Sequence, residues 1–270
     1  MKFIGHVLAF LLATVLALSV SSWVLDHTLW NAKYVESRAE QAGLYPSLAT
    51  ALPKAFAAAD PEAGASGLTN LNPSLIKDQA TTLLPAFIEH LHNAGPAPTL
   101  DLAALAKAFG QPAPEGATTQ TITLGDADAR ITGLSQNLHT AGQYAPLGAL
   151  ALILLIAGVM RTRRFPTLAR AAIETAVALG FAAGLFWLLP SFILQALNKP
   201  TLTPIRDAVS PFASALCHGI ASQFGIAALV FVAAALALWF VHGATRLKAK
   251  FTREPKAPKM PPPAAGSGRL

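Results

Sequence analysis

The chain has 270 residues, of which 53% are hydrophobic and 13% charged, and its formal net charge at pH 7 is +6. Soluble domains carry about 25% charged residues, so this composition argues against an ordinary water-soluble enzyme. The basic residues cluster beside apolar runs, where they act as topology signals, and we expect no nucleic-acid partner. A single cysteine, Cys217, excludes an intrachain disulfide and a multi-cysteine metal site.

Four long apolar runs predict four transmembrane helices. A bilayer core requires about 20 helical residues, and each run approaches or exceeds that length. The first run, residues 3–25, also fits a cleaved signal peptide, but it is longer than a usual signal core, which favours an uncleaved anchor. The other three runs cover residues 141–160, 171–197 and 220–241.

The segment RTRRFPTLAR, between the second and third runs, decides the predicted orientation. It carries Arg161, Arg163, Arg164 and Arg170. Short arginine-rich loops stay in the cytoplasm because guanidinium groups are costly to move across lipid. Both termini are then cytoplasmic, and the segment between the first two spans is extracytoplasmic. The basic residues that follow the fourth run agree with this orientation.

This orientation divides the chain into parts and predicts its fold class. We expect an all-α membrane protein with four transmembrane helices and a helical extracytoplasmic domain between spans 1 and 2. Residues 200–219 are amphipathic and are expected to lie along the outer leaflet before the fourth span. The parts are an anchor at 1–25, the helical domain at 26–140, a three-helix transmembrane region at 141–243 and a disordered basic cytoplasmic tail at 244–270.

Capping residues and apolar stripes predict the first helices of the domain. Asn31 is suited to cap a helix that stops at Gly43. Leu48, Leu52 and Phe56 follow at i, i+4 and i+8, which places them on one stripe of the next helix. This stripe would either close the core of the domain or supply a docking face.

A longer helix is predicted with Asn72 as its cap and Pro73 at its first position. A short helix is expected to begin at Asp101, and the stretch APEGATTQTITLG is the one strand-like part of the domain. The apolar side chains expected to form the buried face of the longer helix are Leu75, Ile76, Leu83, Leu84, Phe87, Ile88 and Leu91.

Asp126 and Asp128 have the spacing that begins an EF-hand loop. That loop requires glycine at its sixth position and glutamate at its twelfth, where this chain has Ile131 and Asn137. We therefore interpret the two carboxylates as helix-start residues that complement the helix dipole. The helix is expected to continue into the second span, with a bend near Pro146.

The order of these segments resembles a group of bacterial integral membrane proteins that is functionally uncharacterised. The resemblance lies in LWNAKYVESRAEQAGLYPSLATALP, NPSLIKDQATTLLPAFIEHL and TLDLAALAKAF, followed by three spans. It is carried chiefly by YVESRAEQAGLY within the first of these segments. Such proteins have an N-terminal anchor, an extracytoplasmic helical domain and three C-terminal spans. The resemblance implies a bacterial cytoplasmic (inner) membrane and no catalytic residues.

The stretch EHLH brings together three candidates for metal or acid–base chemistry, Glu89, His90 and His92. Ligands on one helix must lie three or four residues apart to share a face. Only Glu89 with His92, or His90 with a residue elsewhere, meets that requirement. We interpret them as polar residues near a helix end and assign no metal, cofactor or catalytic residue.

Glu174 lies just inside the third span, four residues after Arg170. An ionisable group within a membrane calls for a functional hypothesis, here a proton or ion relay. The i, i+4 spacing favours an interfacial pair with Arg170. The middles of the other three spans contain no Asp, Glu, Lys or Arg, which argues against a transporter.

Ala176, Gly180 and Gly184 form a stripe of small residues on the third span. Such stripes allow transmembrane helices to approach closely. We expect the stripe to pack against the second or fourth span, with self-association into a homo-oligomer as the alternative.

Three classes of function follow. The favoured one is a non-enzymatic envelope protein whose extracytoplasmic domain binds a protein, an envelope polymer or a lipid. The alternatives are a transporter or transport accessory subunit, in which Glu174 and Pro190 would matter, and a membrane-bound hydrolase. For the hydrolase the candidate residues are Glu89, His92, Asp126 and Asp128. We expect membrane lipid and an envelope protein as partners.

Overall fold

A computed structural model describes residues 2–59, 71–93, 95–101, 119–121, 128–161 and 163–251. Within these residues the protein is all-α apart from one short antiparallel strand pair, in which Leu100 faces Gln120. The elements are α1 (Lys2–His27), α2 (Ala32–Gln41), α3 (Leu44–Ala59), α4 (Pro73–Asn93), β1 (Thr99–Asp101), β2 (Thr119–Thr121), α5 (Asp128–Val159), α6 (Arg164–Ala196), a 3-10 helix (Pro200–Leu202) and α7 (Thr203–Phe251).

Four of these helices, α1, α5, α6 and α7, are long and apolar enough to cross a membrane. They contain the four apolar runs of the sequence. Many of their large apolar side chains point away from the protein, such as Phe181, Leu229 and Phe240, which are 68%, 69% and 81% exposed. An outward apolar surface of this kind is suited to lipid, so the fold is that of a multi-pass membrane protein.

The bundle is held by two clusters of closely packed side chains. One joins α1, α5 and α6 and includes Leu12 and Ile156, both almost fully buried. The other joins the opposite end of α1 to α6 and α7 and includes Leu179 and Phe224. The helix α1 is thus the central element, with α5 and α6 on its sides and α7 along α6.

Pairings at the two ends of the bundle show which segments share an end. The Arg170 guanidinium contacts the His6 imidazole, so the start of α1 lies beside the arginine-rich loop. At the other end, Ser22 near the end of α1 packs on Gly142 of α5, and Tyr34 of α2 packs on Gly219 of α7. The helices α2, α3 and α4 therefore lie at the end opposite to the arginine-rich loop.

The predicted helix starts of the domain are confirmed. The side chain of Asn31 accepts a hydrogen bond from the Tyr34 amide at 3.2 Å. The helix α2 ends before Gly43, whose φ of +64° is a conformation that glycine adopts without strain. The Asn72 side chain accepts a hydrogen bond from the Ser74 amide at 3.0 Å, and Pro73 is the first residue of α4.

The long helix predicted to enter the second span is also confirmed, because α5 is unbroken and contains Pro146. The strand-like stretch contains β2. Asp101 does not begin a helix but ends β1, and the rest of that predicted helix lies outside the described residues. The side chains of Asp126 and Asp128 lie outside the described residues as well.

The segment expected to lie along the outer leaflet has a different arrangement. From Thr203 onward it is part of α7, a single helix that continues through the fourth span. Its Ala208 and Ala213 are buried, and α7 packs against α3 of the helical domain. The reason is that the helical domain packs along this segment and leaves its large apolar side chains half-buried, among them Val209 and Phe212. The helix also continues to Phe251, beyond the predicted start of the tail at residue 244.

Among the described residues, the small-residue stripe of the third span is divided between a buried part and an exposed part. Ala176 is buried, with 7% of its surface exposed. A methyl group placed on Gly180 or Gly184 would meet no atom of the described residues within 4 Å. Thr175 and Leu179 instead occupy the buried face of α6, which turns the two glycines outward. Self-association through them stays a prediction.

Candidate functional site

An apolar cavity of about 360 Å³ lies within the helical domain. Its walls come from α2, α3, α4 and α7, together with Pro98 before β1. Leu83, Leu84 and Phe87 of α4 form one side, Tyr45 of α3 another, and Phe212 of α7 a third. This volume lies in the range of about 300–1,000 Å³ that is usual for small-molecule sites.

The cavity exists because the apolar face of α4 is not fully covered. The sequence predicts that Leu83, Leu84 and Phe87 are buried, but each is only half-buried. Of the predicted buried face, Leu91 is the residue that is buried, at 6% exposure. Leu48 and Leu52 of α3 are also half-buried, and the side chain of Phe56 lies outside the described residues. The core of the domain is thus closed at one end and open at the other.

Charged groups lie beside this cavity but do not line it. Lys77 Nζ and Glu40 Oε1 are 2.5 Å apart and join α4 to α2. The hydrogen bond with Glu40 raises the pKa of Lys77. Burial raises the pKa of Tyr45, and the nearby Glu36 and Glu40 carboxylates raise it further. The tyrosine therefore stays neutral at physiological pH and presents an uncharged ring to the cavity.

The cavity begins close to the level at which α7 enters the apolar run. Val35 is a lining residue, and its neighbour Tyr34 packs on Gly219, one residue before that run. Phe212 lies seven residues before Gly219, which is about 10 Å along a helix. Trp187 of α6 stacks on His218 at 4.0 Å between ring centroids, and indole rings favour the membrane interface.

A second group of functional side chains lies where α1, α4 and α5 meet. Asp26 Oδ1 is 3.2 Å from His92 Nε2 and 3.7 Å from His139 Nδ1. The three ligand atoms all lie within 4.8 Å of one another. Both imidazole nitrogens are buried, and within the described residues neither makes a hydrogen bond. The two imidazoles thus converge on one carboxylate at ion-pair distances, without a hydrogen bond to either buried nitrogen among the described residues.

Aromatic and polar neighbours hold the two imidazoles of this cluster in place. The indole of Trp30 stacks on the His92 ring with 5.6 Å between ring centroids. The His92 and His139 rings meet edge to face with 4.2 Å between centroids. The side-chain amide of Gln143, one turn further along α5, lies 2.9 Å from His139 Nε2. The arrangement can hold a cation or an acidic proton.

The residues of the EHLH stretch separate in the structure. His92 joins Asp26 and His139 rather than pairing with Glu89. His90 Nδ1 is 2.7 Å from the Gly95 carbonyl oxygen, and the Gly95 amide donates to the Glu89 carbonyl. The sequence identified His92 but missed both of its neighbours, because their positions on three different elements leave no local spacing to detect.

Glu174 lies at the other end of the bundle. Arg170 Nε donates to Glu174 Oε1 at 2.7 Å, which is the pair that the i, i+4 spacing favours. The same guanidinium contacts His6 of α1. The acid is thus part of a contact between α1 and α6 on the side of the arginine-rich loop.

Searches of protein-family models, curated proteins and solved structures gave no match to this chain.

Proposed function

We propose that this chain is a non-enzymatic integral membrane protein of the bacterial envelope that holds a phospholipid acyl chain in the cavity of its helical domain. The observation that carries the proposal is the open apolar cavity, one wall of which is Phe212 on a helix that continues as a membrane span. The protein binds the lipid at the outer surface of the cytoplasmic membrane.

The chemistry of the cavity favours an acyl chain over a polar ligand. Its lining is almost entirely carbon, and the neutral Tyr45 ring adds no charge. Burial of apolar surface contributes about 25 cal/mol per Å², so an apolar occupant is favoured over water. A peptide would bring backbone donors and acceptors that this lining leaves unpaired.

The position of the cavity favours a lipid as the source of that chain. The contact of Tyr34 with Gly219, one residue before the apolar run of α7, supports a position of one end of the cavity near the membrane surface. A lipid tail could then enter the cavity without crossing a long aqueous gap. Arg38 lies beside Gly219 and over the Tyr34 ring, at 5.1 Å from its centroid. A guanidinium at this level is suited to contact the lipid phosphate.

The predicted orientation supports an outer location for the domain. The helices α2 to α4 lie at the end of the bundle opposite to Arg161, Arg163 and Arg164, which the positive-inside rule assigns to the cytoplasm. The short connection between α6 and α7 lies at the same end as the domain and carries one lysine, Lys199.

Filling the cavity tests this function. Ala80 of α4 lines the cavity, and Ala80→Phe is expected to occupy much of its volume. Ala86 is exposed on the same helix, so Ala86→Phe is the matched control. Both variants are purified as full chains in mild detergent, and bound phospholipid is counted by native mass spectrometry.

We expect wild type and Ala86→Phe to retain about one phospholipid per chain and Ala80→Phe to lose most of it. Equal retention by the two variants, or no retained phospholipid in wild type, contradicts the proposal. Recovery of a peptide or a polysaccharide in place of lipid would support a different class of partner. Circular dichroism and thermal unfolding establish that both variants fold.

A further inference from the structure

We propose that Asp26, His92 and His139 bind a divalent zinc ion that ties the helical domain to the membrane bundle. The site is separate from the lipid cavity and shares with it only the helix α4. Asp26 lies in the last turn of α1, His92 in the last turn of α4 and His139 in α5.

The spacing of the ligand atoms matches a metal centre. Zinc is bound by imidazole nitrogen and carboxylate oxygen at about 2.0–2.2 Å with tetrahedral geometry, so two ligand atoms lie about 3.3 Å apart. The Asp26 oxygen is 3.2 Å from His92 Nε2 and 3.7 Å from His139 Nδ1. Two of the three separations are thus close to the required value before an ion is added, and the two imidazole nitrogens lie within 4.8 Å of each other.

The hydrogen bonding at the cluster gives independent support. His92 Nε2 and His139 Nδ1 are buried polar atoms that make no hydrogen bond within the described residues. A buried polar group without a partner costs about 1–3 kcal/mol. One cation placed between these nitrogens and the Asp26 oxygen gives both nitrogens a partner.

The surrounding residues are those that orient metal ligands. A ligating histidine usually donates its other ring N–H to an oxygen, which fixes its tautomer. In the structure, Gln143 Nε2 lies 2.9 Å from His139 Nε2. Rotation of this amide by 180° exchanges its nitrogen and oxygen, so that the oxygen accepts from His139 Nε2–H and Nδ1 is left as the ligand atom. The Trp30 ring restricts the rotation of His92 by stacking on it.

The electrostatic setting favours a cation. Asp26 and His92 both lie in the last turn of a helix, where the partial negative charge of the carbonyl ends attracts positive charge. Two imidazoles and one carboxylate suit zinc better than magnesium or calcium, which prefer oxygen ligands alone. Three protein ligands leave the fourth position for water or a ligand.

Zinc binding by the full chain tests the proposal. The chain is purified in detergent without an affinity tag, stripped with a chelator and titrated with zinc chloride in a calorimeter. The ligand variants are His92→Ala, His139→Ala and Asp26→Asn. The controls are His27→Ala, next to Asp26 and bonded to the Trp23 carbonyl of its own helix, and His90→Ala, which lies on α4 with His92.

We expect one zinc ion per chain for wild type and both controls, and an affinity at least a hundredfold lower for each ligand variant. Zinc is also expected to raise the unfolding temperature of wild type and to leave that of His92→Ala unchanged. Ala80→Phe should bind zinc like wild type, which separates this site from the lipid cavity.

Equal zinc affinity in the ligand and control variants overturns the proposal, and so does a wild-type chain that binds no zinc. If a variant fails to fold, the site is tested by spectroscopy on the wild-type chain instead. Bound cobalt(II) should then give the strong visible absorption of a four-coordinate site. A six-coordinate cobalt spectrum, or a competition in which manganese displaces zinc, rules out the zinc site.

Discussion

The membrane bundle and the helical domain are packed in different ways. The largest fully buried side chains of the described residues, among them Phe224, Leu12 and Ile156, all belong to the four long helices. In the domain, the apolar face of α4 stays half-buried around a cavity. Nearly fully buried side chains fix one arrangement of the bundle, whereas a domain with a lined apolar cavity has surface left over for a ligand. The difference favours the domain as the place of the proposed binding.

The largest expected effect concerns the side of the membrane on which each region lies. In a Cys217→Ala background, Ser37→Cys in α2 should react completely with a membrane-impermeant maleimide in intact cells. Ala244→Cys, at the far end of α7, should react only after the cells are opened. The reason is the cost of moving the arginine-rich loop across lipid. Reversed labelling would place the domain in the cytoplasm and remove the proposed access to the outer leaflet.

The next effect separates the packed core from the cavity lining. Phe224→Ala removes a ring that is 1% exposed, and we expect a loss of about 3–5 kcal/mol in the free energy of unfolding. Phe87→Ala removes a half-buried ring of the cavity. We expect it to lower the free energy of unfolding by less than half as much as Phe224→Ala and to weaken lipid retention. Phe240→Ala, on the lipid-facing surface, is the control. Unfolding in mixed detergent micelles measures all three, and equal losses for Phe224→Ala and Phe87→Ala would contradict the comparison.

The smallest effect concerns the ion pair between α2 and α4. Glu40 stabilises the charged form of Lys77 and thereby raises its pKa. The contribution of this ion pair to the stability of the fold is therefore complete below the pKa of lysine in the unfolded chain, about 10.4. It is lost as the pH rises through the raised pKa of the folded state. Lys77→Met should lower the unfolding temperature slightly at pH 8 and leave no difference from wild type above that pKa. Lys54→Met, an exposed lysine of α3, is the control. A difference that grows with pH would show that the effect of the substitution is not electrostatic.

Local signals in the sequence predicted much of the fold. The four spans follow from the length of the apolar runs, and the starts of α2 and α4 follow from Asn31, Asn72 and Pro73. These features depend on residues close together in the chain, so their energetics can be assessed without a tertiary structure. The pair of Arg170 with Glu174 was predicted for the same reason.

The sequence was less informative wherever one helix meets another. It assigned residues 200–219 to the lipid surface, but α3 packs against this part of α7. It assigned Gly180 and Gly184 to a helix contact, but α6 turns them outward. An apolar or small residue on a helix indicates that its face is in contact with something, but lipid, protein and a ligand can each provide that contact.

The amino-acid sequence by itself determined the number of membrane helices, their capped starts and the charge asymmetry between their ends, because hydropathy, capping and charge are properties of neighbouring residues. Only the tertiary structure decided that the face of α4 stays open as a cavity and that Asp26, His92 and His139 meet. Those two features arise from the packing of α1, α4, α5 and α7, and the distances between separate helices are set by their contacts rather than by spacing along the chain.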